Sequence, residues 1–176
     1  VLAVVFGLVS IYGTISNIEV LGAIINVRDL GPMVAGLTCG PLVGLGAGLI
    51  GASHRMTLGG FTMVSCSFAT VLAGLLGGII WWFNNKKFVG IKIAVLFAIE
   101  MEALHMVLAL LICRPLADAI RVVENATIPM MFANALGMLI FAVIIVNLIN
   151  ERRVQAERDT LVREIERKNT ELAIAA

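Results

Sequence analysis

Charge is scarce over most of this 176-residue chain, and no sign of it dominates. Asp, Glu, Lys and Arg make up 14% of the residues and the formal net charge is +1. Nucleic acid is drawn by a basic excess, so none is expected as a partner. Three cysteines, Cys39, Cys66 and Cys113, lie in or beside apolar runs without C-x-x-C spacing, which points neither to a disulfide framework nor to a cysteine zinc site. No nucleophile-and-base pair, phosphate loop or nucleotide motif is present, so no catalytic residue and no cofactor are expected. A cleavable signal pattern and an initiator Met are also missing. The chain begins inside the apolar run VLAVVFGLVSIYG, and residues are expected to precede Val1 in the natural protein.

What the chain does have is hydrophobicity: 60% of residues are apolar and the mean hydropathy is +0.99, far above a soluble domain of this size. The charges are also unevenly placed, 13 in residues 1–150 and 12 in Glu151–Ala176. A membrane domain, 1–150, followed by a charged cytoplasmic helix, 151–176, is the expected organisation.

A helix needs about 20 apolar residues to cross the hydrocarbon core. Four runs meet or approach this: Pro32 to Ala52, Phe61 to Phe83, Ile91 to Cys113 and Ile128 to Ile149. A fifth, from Val1 to about Tyr12, is short unless it extends toward Ile25. The fold class is therefore all-α, a polytopic transmembrane bundle of five to six segments. NNKKFVGIK carries three lysines and no acid, and Arg152 and Arg153 follow the last run, so both should be cytoplasmic. The 114–127 loop and GASHRMTLGG, residues 51–60, then lie outside, with the protein multi-pass in the inner (plasma) membrane.

Gly36, Gly40, Gly44 and Gly48, and later Gly74 and Gly78, recur at every fourth residue, a pattern that lets membrane helices pack closely. Gly40-Pro41 poses an either/or. If the run crosses straight, Arg28 and Arg55 lie on opposite faces; if it breaks into two half-helices, both arginines end on one side. In the tail, Val154 and Leu161, then Ile165 and Leu172, repeat at seven between charges of alternating sign, which favours a dimerising coiled coil over a lone solvated helix.

Ionisable groups in a membrane are costly and so are candidates for function. Arg55 either snorkels to lipid phosphates or grips a carboxylate, and Thr62, Cys66 and Thr70 form a weakly polar stripe below it. Arg28 offers a second grip, partly offset by Asp29. Glu100, Glu102 and His105 share one helix, and Glu102 and His105 share a face. A di-iron site would need a second Glu-x-x-His pair, which the chain lacks. No metal is expected, and the pair reads as a packing or pocket group.

The ordered set N-V-R at 26–28, G-P-L-V-G at 40–44 and H-R-M-T-L-G-G at 54–60, followed by E-A-L-H at 102–105 and P-M-M-F-A-N-A-L-G at 129–137, resembles the LytS-type five-transmembrane receptor domain. The resemblance covers about Phe6 to Asn150. It implies the sensory input module of a bacterial signalling protein with a histidine kinase, diguanylate cyclase or phosphatase output, and ELAIAA resembles a linker helix ahead of a PP2C-like phosphatase. Some members detect pyruvate, through positions that match Arg28, Arg55 and Cys66 here; the fourth such position is Ala69, with Ser65, Ser67 and Thr70 nearby. The motifs add Asn26 and His54 to the ligand-binding candidates and Asn134 to the pocket groups. The expected partners are a small external carboxylate, membrane lipids and a second copy through the C-terminal helix. The alternative is a transporter or substrate-binding membrane subunit, since the glycine-rich helices also resemble vitamin-transporter components.

Overall fold

The computed structural model describes residues 1–20 and 23–175. It divides into two compact units, Val1–Ala142 and Val143–Ala176. Helix α1 spans Leu2–Ile15, and two three-residue strands, β1 (Ile18–Val20) and β2 (Ala23–Ile25), pair antiparallel with Ile18 opposite Ile25. Then come α2 (Leu30–Cys39), α3 (Pro41–Thr57), α4 (Met63–Phe83), α5 (Ile91–Ile112) and α6 (Leu116–Ala175). The protein is a helical membrane bundle, as its composition implies. Among the described residues three helices, α4, α5 and α6, are long and apolar enough to cross a bilayer, while α1 and α2 are shorter apolar helices. The outer surface is apolar at Leu42, Phe68, Trp82, Phe83, Leu96 and Phe132, all exposed, which lipid tolerates and water would not.

The run from Pro32 to Ala52 does break. Gly40, at φ 89°, ends α2, and Pro41 opens α3 at the first helical position, where its missing N–H costs nothing. Gly40 N donates to Gly36 O and Gly44 N to Gly40 O, both at 3.0 Å, so helical bonding runs up to the break from both sides. At ten residues, α2 is about 15 Å long, half the hydrocarbon core. The start of α2 and the end of α3 therefore meet at one cavity, which both Arg28 and Arg55 line.

The glycine ladders hold this arrangement. A Cβ on Gly36 would overlap Gly74 O, one on Gly44 would overlap Gly74 as well, and one on Gly78 would strike Pro41. Gly74 and Gly78 of α4 thus sit in the notch between the half-helices, at backbone contact distance.

One boundary differs from the sequence expectation. The 114–127 segment is helical from Leu116 onward rather than a loop, and α6 runs through Pro129. Ala119, Val123, Ala126 and Met130 recur at helical spacing and pack on Met106 and Ala109 of α5 and on Cys113 just after it, which explains why the helix starts early. In the second unit, 143–176, the seam residues Val154, Leu161 and Ile165 are exposed. The fourth seam side chain, Leu172, and those of 173–176 lie outside the described residues.

Replacing Gly74 by Val should destabilise the bundle by roughly 1–3 kcal/mol or prevent folding, because the facing backbone of Gly44 cannot give way. Thermal unfolding in detergent would measure this, and an unchanged midpoint would contradict the close contact.

Candidate functional site

A cavity of about 520 Å³ opens at the end of the first unit that holds the C-terminus of α1, the start of α2, the α3–α4 turn, the C-terminal part of α5 and the first turns of α6. The Lys86-Lys87 turn follows α4 and so lies at that helix's other end.

Arg28 is almost fully enclosed at this site, at 1% exposure. It stands between β2 and α2, just ahead of Asp29, the residue that precedes the first turn of α2. Its Nε donates to Thr70 Oγ1 at 2.9 Å and lies 3.7 Å from Asp29 Oδ1. Thr70 Oγ1 in turn reaches Asp29 Oδ1 at 2.6 Å and Cys66 O at 2.9 Å. One edge of the guanidinium is thus fixed, while Nη2 is buried with no hydrogen-bond partner among the described residues. An unmatched buried donor on a cation is costly, and a bound anion would remove that cost.

Arg55 is placed differently. It is only partly buried, and its Nη1 donates to Gly59 O at 2.6 Å while Nη2 donates to Thr62 Oγ1 at 3.0 Å. Gly59 and Gly60 both have positive φ, 68° and 87°, which lets the turn fold back under the guanidinium. Arg55 is therefore neither a loose snorkelling side chain nor a free grip: it closes the α3–α4 turn while lining the cavity.

Cys66, one helical turn beyond Thr62, also lines the cavity, and its Sγ lies 3.3 Å from His105 Nε2. His105 Nδ1 faces Glu102 Oε2 at 3.5 Å and Asp29 Oδ2 at 3.6 Å, ion-pair distances that are too long for hydrogen bonds. Glu102 Oε1 accepts from Asn134 Nδ2 at 2.8 Å, and the same Nδ2 lies 3.3 Å from Asn26 O. Asp29, Glu102 and His105 offer ligand-capable atoms within 4.8 Å of one another, the one such group among the described residues. Arg28, however, already sets a cation beside Asp29.

The structure thus brings Asn26, Arg28, Arg55, Thr62, Cys66 and His105 to one cavity wall. Thr70, Glu102 and Asn134 stand behind it as buried supports. His54 is not among the lining residues, and Glu100 is exposed on the outer surface. Sequence reasoning missed Thr14 and Asn17 at the end of α1, and Arg121, Asn125 and Met130 on α6, all lining residues. The helical spacing of Ala119, Val123, Ala126 and Met130 was the signal that places the last three.

The comparisons with known proteins agree with this architecture. The family model described as 5TMR of 5TMR-LYT matches residues 1–148. The chain belongs to the 5TMR-LYT family. It is similar to sensor histidine kinase BtsS of Escherichia coli (strain K12), with 37% identity over 127 residues, covering 68% of this chain and 22% of that protein. It is also similar to sensor protein LytS of Bacillus subtilis (strain 168), with 36% identity over 113 residues, covering 63% and 19%. LytS of Bacillus anthracis shares 34% over 102 residues, covering 57% and 17%. The chain spans about a fifth of the length of these relatives. No solved structure matches it. This 5TMR-LYT chain is a multi-pass membrane sensory domain of signal transduction.

Asn134→Leu should destabilise the domain by roughly 1–3 kcal/mol, since Glu102 Oε1 would lose its donor while still buried. Thr70→Val should do the same by freeing Asp29 and Arg28 together, and Thr70→Ser should restore stability. Thermal unfolding of the three variants in detergent checks both, and a neutral Thr70→Val would show that the network does not hold Arg28.

Proposed function

We propose that this domain binds a small external carboxylate in the cavity above Cys66, and that binding is relayed through α6 to a cytoplasmic output domain beyond this chain. The observation that carries the reading is Arg28 Nη2: a nearly inaccessible cationic donor at a cavity wall, with its other edge locked by Thr70 and Asp29 and no partner of its own. A guanidinium held this way is pre-organised, so little entropy is lost when two carboxylate oxygens dock. Arg55 and, at the mouth, the exposed Arg121 add positive potential that favours entry of an anion.

The lysine turn at the far end of α4 supports a cavity facing outward and a cytoplasmic C-terminus. The exposed seam Val154, Leu161 and Ile165 supports pairing of two copies through the charged helix. Since the relatives are named sensor proteins and sensor histidine kinases, a kinase is the output we assign to the full-length protein. Asn125, Ala126 and Met130 put α6 in the cavity wall, so a ligand that prefers one placement of α6 would shift its population.

A panel of short carboxylic acids tested for thermal stabilisation of the detergent-solubilised domain examines the reading. At least one acid should stabilise the wild type. Arg28→Lys keeps the charge but loses the fork and should bind about tenfold or more weakly, a difference of about 1.4 kcal/mol. Arg55→Ala should weaken binding less, because its donors are already engaged within the turn. Equal stabilisation of wild type and Arg28→Lys would overturn the assignment.

A further inference from the structure

The contacts of His105 Nδ1 are too long for hydrogen bonds, and their spacing carries information of its own. Nδ1 lies 3.5 Å from Glu102 Oε2 and 3.6 Å from Asp29 Oδ2, and the three side chains offer ligand-capable atoms within 4.8 Å of one another. Nδ1 and Oε2 have no hydrogen-bond partner among the described residues, and both side chains are more than nine-tenths buried. Two carboxylate oxygens and a ring nitrogen thus converge without bonding one another.

Each side chain arrives with its other polar atom already engaged. Asp29 Oδ1 accepts from Thr70 at 2.6 Å and lies 3.7 Å from Arg28 Nε, so the guanidinium faces one oxygen and His105 the other. Glu102 Oε1 accepts from Asn134 Nδ2 at 2.8 Å, and His105 Nε2 lies 3.3 Å from Cys66 Sγ. With the ring proton on Nε2, shared with that sulfur, the Nδ1 lone pair faces two carboxylates. A metal-bound histidine is oriented in the same way, through its second nitrogen. Arg28 offsets only one of the two carboxylates, so the buried group keeps a net negative charge, which is costly in an apolar bundle.

The spacing also selects the ion. Zn²⁺ binds nitrogen and carboxylate oxygen at about 2.0–2.2 Å, which sets tetrahedral ligands about 3.3–3.6 Å apart, whereas octahedral Mg²⁺ draws neighbouring oxygens to about 3 Å. The geometry points to a Zn²⁺-type divalent metal site formed by Asp29 Oδ2, Glu102 Oε2 and His105 Nδ1 behind the cavity wall. The sequence offers only Glu102 and His105 on one face of α5; the third ligand comes from Asp29, ahead of α2. A fourth position is left for water or for Asn134 Oδ1, which is also buried without a partner. The ion pins the half-helix α2 to α5 and, by fixing Asp29, steadies Arg28 as well. It requires no particular ligand in the cavity, so it stands apart from the carboxylate reading.

In the test, the whole chain in detergent is stripped with a chelator and titrated with Zn²⁺ and, for its spectrum, with Co²⁺. The wild type should bind about one Zn²⁺ per chain and unfold at a higher temperature with it. Co²⁺ should give the strong visible bands of a four-coordinate ion without a thiolate charge-transfer band, which separates this site from one that uses Cys66. Glu102→Gln keeps Oε1 for Asn134 but loses a charged ligand, so it should fold without metal and bind Zn²⁺ about a hundredfold or more weakly. Cys66→Ala should bind Zn²⁺ within about tenfold of the wild type. Equal binding by the wild type and Glu102→Gln would mark adventitious metal and overturn the site. So would a thiolate band in the wild type, or no Zn²⁺ bound to it at all; these two readings on the wild type decide the matter even if Glu102→Gln fails to fold. If Zn²⁺ binds as described while no short carboxylic acid does, the metal site stands and only the carboxylate reading falls.

Discussion

A guanidinium that is 1% exposed inside an apolar bundle must be compensated, and much of the site follows from how Arg28 meets that demand. Asp29 supplies the counter-charge from the next residue, at the mouth of α2. Thr70 ties both to α4, forty-two residues away from Arg28. Asp29 also faces His105, which faces Glu102, which is held by Asn134 from α6. One buried charge thus connects α2, α4, α5 and α6 through polar contacts. Such a network makes the helices interdependent, because loss of any member strands another in low dielectric.

The Arg28 site depends in turn on backbone geometry. Arg28 reaches Thr70 because α2 is short, α2 is short because the helix ends at Gly40, and α4 can lie in the resulting notch because Gly74 and Gly78 carry no Cβ. A side chain at Gly40 would meet the Trp81 ring as well as a φ of 89° that most residues avoid. The glycines are packing residues and the arginines are site residues, yet the second set could not converge without the first.

How much of this was legible in the sequence varies with the range of the interaction. Hydropathy marks α4 and α5 almost to the residue, since the bilayer sets a length that composition must satisfy. Gly40-Pro41 posed a clear choice that local chemistry could not decide, because a proline either kinks a spanning helix or begins a new one. What decides it is contact with Gly74 and Gly78, over thirty residues away and invisible to periodicity alone. The same holds for Thr70: its place on the Thr62–Cys66–Thr70 stripe was readable, whereas its bonds to Arg28 and Asp29 are tertiary. The 114–127 segment was misjudged for another reason. Its charges suggested a loop, but Ala119, Val123, Ala126 and Met130 form a helical stripe, and burial of that stripe on α5 outweighs the charge on the other faces.

Within the first unit, α6 combines two properties that a reporter of the cavity would need. Asn134 ties it to Glu102, and one turn earlier Met130, with Ala126 and Asn125, forms part of the cavity wall. Among these wall residues lies Pro129, inside the helix, which removes the N–H that Asn125 O would otherwise accept. The helix is therefore least self-supporting beside the cavity, where a ligand would touch it, and firmly anchored one turn further on. On the sensory reading, contact at Asn125 and Met130 would act on the part of α6 with the lowest local cost of bending, while Asn134 keeps the next turn in register with α5. The direction of the response would then be set by which bend the bound state favours, not by the strength of binding alone.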